Sequence, residues 1–127
     1  MASVVLDSGA LIAIDRADRR IGAAMHEAAR HGVEAVTSCA SVAETWRQPA
    51  RQARLTLALK GVIEHPLDPD TARRCGSLLA RSATSDIADA SIALLAADPE
   101  DIVLTGDPGD IQHLLDASGS RARVQRI

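Results

Sequence analysis

Short β-branched apolar runs alternating with helical stretches predict an α/β protein, a three-layer α/β/α sandwich with a mainly parallel central sheet. Three stretches carry this expectation. Ser3-Val4-Val5-Leu6, ending at Asp7-Ser8-Gly9, reads as a buried strand, and Asp101-Ile102-Val103-Leu104-Thr105, leading into Gly106-Asp107-Pro108-Gly109-Asp110, is nearly as clear. Just before the second strand, residues 84–97 read as a buried helix. From Ile87 onward only Asp89 is charged there and only Ser91 is otherwise polar, so the segment belongs in a core.

The remaining elements follow in order. Ala10 to Ile14 begins a short helix after the first strand, and an amphipathic helix covers residues 19–30, with Ile21, Ala24, Met25 and Ala28 inward and Gly32 as its stop. Glu34-Ala35-Val36-Thr37 is a second strand, after which Ser38 or Ser41 can cap a helix containing Glu44 and Trp46, closed by Pro49. Residues 50–60 form a helix with Leu55, Leu57 and Leu59, ended by Gly61 before the weak strand Val62-Ile63-Glu64. Residues 68–81 read as a helix capped by Asp68, with Pro69 at its first position and Leu78 and Leu79 inside. A short helix through Leu115 follows Asp110, and the alternation in residues 123–127 suggests a terminal edge strand.

At 127 residues the chain fits one domain, residues 1–127, with a substantial core. Its 46% hydrophobic and 24% charged residues exclude a disordered chain. No apolar run approaches a membrane span and no basic leader precedes a long apolar stretch, so a cytoplasmic protein is expected. Cys39 and Cys75 lie far apart and read as buried free thiols, while the four histidines form no close pair, which leaves transition-metal chemistry unsupported. A net charge of −3 argues against a broad basic surface for duplex nucleic acid. Thirteen of the fourteen basic residues are nevertheless arginine, which suits bidentate phosphate contacts but equally reflects an Ala- and Arg-rich composition. With Trp46 as the sole aromatic, base-stacking platforms are excluded.

The informative pattern is acidic. Residues just past the carboxyl ends of parallel strands collect at one sheet edge, where ligands bind. Asp7 follows the first strand and Asp107 stands two residues beyond the strand ending at Thr105. Glu44 lies in the helix after another strand, and Asp89 in the first turn of the helix before the Asp107 strand. Each has a plainer explanation: Asp7 as a cap, Glu44 as a solvated helix residue, Asp107 as turn chemistry with Pro108-Gly109, Asp110 as a cap. Asp86 and Asp89, three residues apart, share a helix face where like charges cost roughly 0.2 to 0.5 kcal/mol when exposed. Asp86 is split between a capping and a supporting role. If the strands of Asp7 and Asp107 are neighbours, all four carboxylates converge and repel unless a cation neutralises them. Mg²⁺ suits such a set, with Mn²⁺ fitting the same oxygens, and phosphodiester hydrolysis is the natural use.

Val4-Val5-Leu6-Asp7-Ser8-Gly9-Ala10-Leu11, Ser41-Val42-Ala43-Glu44, Ser85-Asp86-Ile87-Ala88-Asp89-Ala90 and Val103-Leu104-Thr105-Gly106-Asp107 together resemble the PIN-domain nucleases, and within them the VapC-type toxins of bacterial toxin–antitoxin pairs. The resemblance spans the chain. It implies a PIN-like fold and a Mg²⁺-dependent endoribonuclease, with Asp7, Glu44, Asp89 and Asp107 as catalytic, metal-holding acids. Asp86 and Asp110 would support them, and Ser8 and Thr105 would be the flanking hydroxyls. It also implies an RNA substrate, a homodimer and a cognate antitoxin that blocks the site, often with an arginine. Arg47 and Arg51 either hold flanking phosphates or are solvated helix residues.

Two other classes compete. The haloacid-dehalogenase phosphatases and response-regulator receivers also place an Asp after the first strand. The former need a second Asp where Gly9 stands, and both need a nearby lysine, whereas the only lysine is Lys60 beside a helix end. A non-catalytic PIN-like protein-interaction module is the other alternative, which loss of one of the four acids would have favoured.

Overall fold

The structure, a computed structural model, describes residues 2–127. Five strands form the sheet: β1 (Ser3–Leu6), β2 (Glu34–Ser38), β3 (Val62–His65), β4 (Ile102–Thr105) and β5 (Arg123–Arg126). Their order is β3-β2-β1-β4-β5 and every pairing is parallel. The chain builds outward from β1 in one direction and then crosses to its other side. Val5 pairs with Val36 on β2 and with Val103 on β4, so β1 and β4 are neighbours at the point where the winding reverses.

Alternation along the strands divides the core into two layers. Val4 and Leu6 of β1 face one way with Leu104, and meet Ala10 and Leu11 of α1 (Ser8–Asp15), Ile21 and Ala28 of α2 (Arg19–Arg30), and Leu55. Val5, Val36 and Val103 face the other way. They meet Cys75 and Leu78 from the helix Pro69–Ser82, Ile92 from the helix Ile87–Leu95, and Leu114 from the helix Pro108–Ser118. This is the predicted α/β/α sandwich. α3 (Cys39–Thr45) and α4 (Ala53–Leu59) complete the first half, and the three later helices are α5, α6 and α7 in chain order.

Several local expectations are corrected. Cys39 is exposed at the start of α3, and only Cys75 is buried. Trp46 lies outside its helix, because the backbone turns extended there (φ −74°, ψ 132°). The single helix expected over residues 50–60 is a 3₁₀ turn (Pro49–Arg51) followed by α4, broken at Gln52. That buried side chain accepts from the Arg47 and Gln48 N–H groups (2.7 and 3.1 Å) and donates to Thr45 O (2.8 Å), replacing the missing helical partners. Leu57 is 69% exposed, since a seven-residue helix turns Leu55 and Leu59 inward and Leu57 away. α6 begins at Ile87, itself 52% exposed, and α7 runs past Leu115 to Ser118, where Gly119 in the left-handed region (φ 77°) ends it.

Candidate metal centre

The carboxyl ends of β1 and β4 bring Asp7 and Asp107 together. The Asp7 N–H donates to Leu104 O at 3.3 Å, so the first candidate acid still belongs to the ladder between the two strands. Its side chain is buried and Oδ1 accepts from Ala10 N at 2.8 Å, capping α1. Thr105, fully buried, hydrogen-bonds the same carboxylate and accepts from Asp107 N at 2.8 Å. One hydroxyl thereby ties the Asp7 carboxylate to the backbone of Asp107. Burial holds the Asp7 carboxyl above its ordinary range; the hydrogen bonds from Thr105, Ala10 and Gly9 oppose that shift, and the charge of Asp107 adds to it.

Asp89 occupies the first turn of α6, half-buried. Its pKa is pushed up to about 7, first by burial, then by the charges of Asp86, Asp7, Glu44 and Asp110 in falling order. Acids from four different elements therefore act on one side chain. Asp86 caps the helix by accepting from Asp89 N at 2.9 Å, and its charge is the largest of those that raise Asp89. Glu44, exposed on α3, accepts from the Ser8 hydroxyl at 2.6 Å, which ties it to the residue after Asp7. Asp107 caps α7, weakly, at 3.5 Å from Asp110 N. The Asp110 carboxyl, fully exposed, is raised first by its hydrogen bond to Asp107 and then by that residue's charge.

Close backbone packing shapes the same edge. A Cβ on Gly9 would lie 3.0 Å from Gly106 N and 3.3 Å from Asp7 Oδ1, so the loop after β4 approaches α1 only because position 9 lacks a side chain. Beneath the acids runs a buried network that the sequence did not single out. Ser91 of α6 hydrogen-bonds Ser38 at the end of β2 (2.7 Å) and Ala88 O (2.6 Å), and Ser38 hydrogen-bonds Ser41 (3.2 Å). It joins the helix of Asp89 to the helix of Glu44. The available signal was Ser91 itself, the lone uncharged polar residue in an apolar helix. Arg47, a candidate phosphate ligand, instead folds onto the carbonyls of Ala43 (3.2 Å) and Trp46 (2.7 Å) at the end of α3.

The donor set is entirely oxygen, which fits a hard divalent cation, and the like charges that raise Asp7 and Asp89 are what such an ion would offset. As placed, no three His, Cys, Asp or Glu side chains among the described residues stand close enough together to hold an ion. The acids form an open, partly exposed rim around the buried Asp7. A cavity of about 540 Å³ lies elsewhere, where β1, β4 and β5 begin; its lining includes Ser3, Ile102 and Arg123 and none of the four acids.

The fold is shared with chains of several solved structures. A chain of the VapBC2 complex from Rickettsia felis, bound to a DNA fragment from its promoter, superposes with a TM-score of 0.71 at 13% identity, covering 98% of each chain. A chain of DNA-bound VapBC from Salmonella typhimurium gives 0.68 at 17% identity over 99% of this chain and 98% of that one. One of FitAcB from Neisseria gonorrhoeae gives 0.58 at 17% over 95% of each. No curated protein matches the sequence. The model of the PIN domain family matches residues 4–114, a span that contains all four candidate acids, and the chain belongs to that family.

Proposed function

We propose that the protein is a metal-dependent endoribonuclease acting as the toxin of a type II toxin–antitoxin pair. The observation that carries this is the elevation of Asp89 to about 7 by burial and by carboxylates from other elements. Asp7, Glu44, Asp89 and Asp107 are the residues that would hold Mg²⁺, or Mn²⁺ through the same oxygens. Bound there, the ion supplies positive charge that acidifies water and offsets charge developing on a phosphodiester.

The protein's own groups prepare that site. Thr105 ties the Asp7 carboxylate to the backbone of Asp107 through one hydroxyl, and Ser8 orients Glu44. Asp86 holds the first turn of α6 and so the direction of Asp89. Asp110 hydrogen-bonds Asp107 at the rim and is raised by that contact. The structural likeness to chains of VapBC2 and FitAcB supports an antitoxin partner here; an inserted arginine would pair with the same carboxylates. We further propose a homodimer that works in the cytoplasm; among the described residues no helix is long and apolar enough to cross a membrane.

The competing reading, a non-catalytic PIN-like interaction module, is favoured by one observation: among the described residues no three acids stand within reach of a common ion. Incubation of single-stranded RNA with the purified protein separates the two. Cleavage with Mg²⁺, stopped by EDTA and absent in Asp7→Asn, is expected. Full-rate cleavage by Asp7→Asn or Asp89→Asn, or none by the wild type, overturns the nuclease assignment. A small DNA-binding-type reading frame beside the gene supports the toxin role, and light scattering at the mass of two chains supports the dimer.

A further inference from the structure

We propose that the arginine-bearing face of α5 holds the phosphate backbone of a single RNA strand leading to the acid rim. The inference rests on the nuclease reading above. Arg73, Ser77 and Arg81 recur every four residues, so they form one stripe about 12 Å long with Arg74 beside it. Arg73, Arg74, Ser77 and Arg81, with Leu94 and Ser118, line a groove of about 370 Å³ that contains no carboxylate. The stripe ends where the site begins. Ser82, the last residue of α5, has its carbonyl 2.8 Å from Nε2 of His113 on α7, whose charge bears on Asp110, and only residues 83–85 separate it from the cap Asp86.

These arginines are also uncommitted. Among the described residues none of the three makes an ion pair, and the guanidinium of Arg73 makes one long contact, 3.4 Å to Pro69 O. Arg74 helps hold the Asp68 carboxyl below its ordinary range, behind the larger effect of the Thr71 hydrogen bonds. By contrast, Arg20 and Arg30 on α2 face Asp18 and Glu27 (3.9 and 3.3 Å), and Arg47 is spent on carbonyls. A chain of net charge −3 with an acidic rim repels a polyanion, so a strand needs local cations to approach. Guanidinium groups meet phosphate oxygens bidentately, and with one aromatic in the chain the contacts are to backbone rather than stacked bases. A single stripe on one helix matches one strand rather than the two of a duplex.

The test is binding of a labelled single-stranded RNA oligonucleotide in EDTA, with salt varied from about 50 to 200 mM. Arg73→Gln/Arg74→Gln/Arg81→Gln is compared with Arg19→Gln/Arg20→Gln/Arg30→Gln on α2, which changes net charge equally. The α5 variant is expected to bind more weakly, with the slope of log K against log salt reduced by about 2, three phosphate contacts at roughly 0.7 each. The α2 variant should keep the wild-type slope. An unchanged slope in the α5 variant, an equal loss in the α2 variant, or a wild type that binds no RNA and offers this face to an acidic protein instead overturns the inference. RNA bound through α5 without Mg²⁺-dependent cleavage would overturn the nuclease assignment and leave this surface standing.

Discussion

Two buried aspartates at opposite edges of one sheet, Asp7 and Asp101, are 5% and 4% exposed, yet they do different work. Asp101 sits just before β4, where its Oδ1 accepts from Ser3 N at 2.7 Å and its Oδ2 from Asp98 N at 3.1 Å. It clamps the start of β1 to the start of β4. Asp7, at the end of β1, is also hydrogen-bonded, but it shares its edge with Asp107 and adds its charge to the field on Asp89. Burial alone does not mark a reactive carboxylate. What sets Asp7 apart is like-charged company at the carboxyl end of the strands, where the charges of Asp7, Glu44, Asp86 and Asp110 bear on Asp89.

The largest effects should separate these two residues. Asn keeps the shape and capping ability of Asp, so Asp7→Asn should leave the metal-free protein folded while lowering Mg²⁺-dependent RNA cleavage at least about 100-fold, beyond the loss typical of outer-sphere partners. Asp101→Asn puts an amide donor where two N–H groups need acceptors. It should cost about 1 to 3 kcal/mol, seen as a lower midpoint in urea, while the folded fraction still cleaves. A cleavage-dead Asp101→Asn of normal stability would erase the distinction. Next comes Gly9→Ala. Its Cβ would force Gly106 N to give by a few tenths of an ångström beside Asp7 Oδ1, and displacement at a reacting centre is costly, so cleavage should fall about tenfold. Gly22→Ala on α2 meets nothing within 4 Å and should instead add about 0.5 to 1 kcal/mol of stability with cleavage unchanged. Paired thermal melts and cleavage rates would check both.

Much of this edge was legible in the sequence because strand and helix signals were local. The bounds of β1 and α2 follow from apolar runs and caps, and the expected neighbours β1 and β4 are adjacent. Asp7, Glu44, Asp89 and Asp107 were the acids expected at one edge, with Asp86 and Asp110 in support; the charges of Asp86, Asp7, Glu44 and Asp110 bear on Asp89, while that of Asp107 bears on Asp7. The rest depends on long-range pairing that no local pattern encodes. The Ser91–Ser38 bond spans 53 positions and the Thr37 Oγ1 bond to Leu6 O (2.6 Å) spans 31. Gln52 was hidden because a side chain that replaces helical backbone bonds looks, in sequence, like any polar residue within a helix. Cys39 was misplaced because its residue type favours burial, whereas the first turn of α3 turns it outward.

The smallest of the expected effects concerns protons. In the unfolded chain Asp89 titrates near 3.8, and in the folded, metal-free protein near 7, so between those values the folded state binds the extra proton. Stability must then fall as pH rises across that window, because the unfolded state gives up its proton first. The cost is absent below about 4 and complete above about 7. The melting temperature of EDTA-treated protein should therefore drop by a few degrees from pH 5 to pH 8, and Asp89→Asn should flatten that slope. Asp7, raised in the same direction, adds to the slope, so the single variant should remove part of it and Asp7→Asn/Asp89→Asn more. Mg²⁺ competes with the proton for the same oxygens and should raise the melting temperature more at pH 8 than at pH 5. An equal Mg²⁺ shift at both values would mean that the ion binds away from these acids, and the contrast between the two edges of the sheet would then lose its chemical meaning.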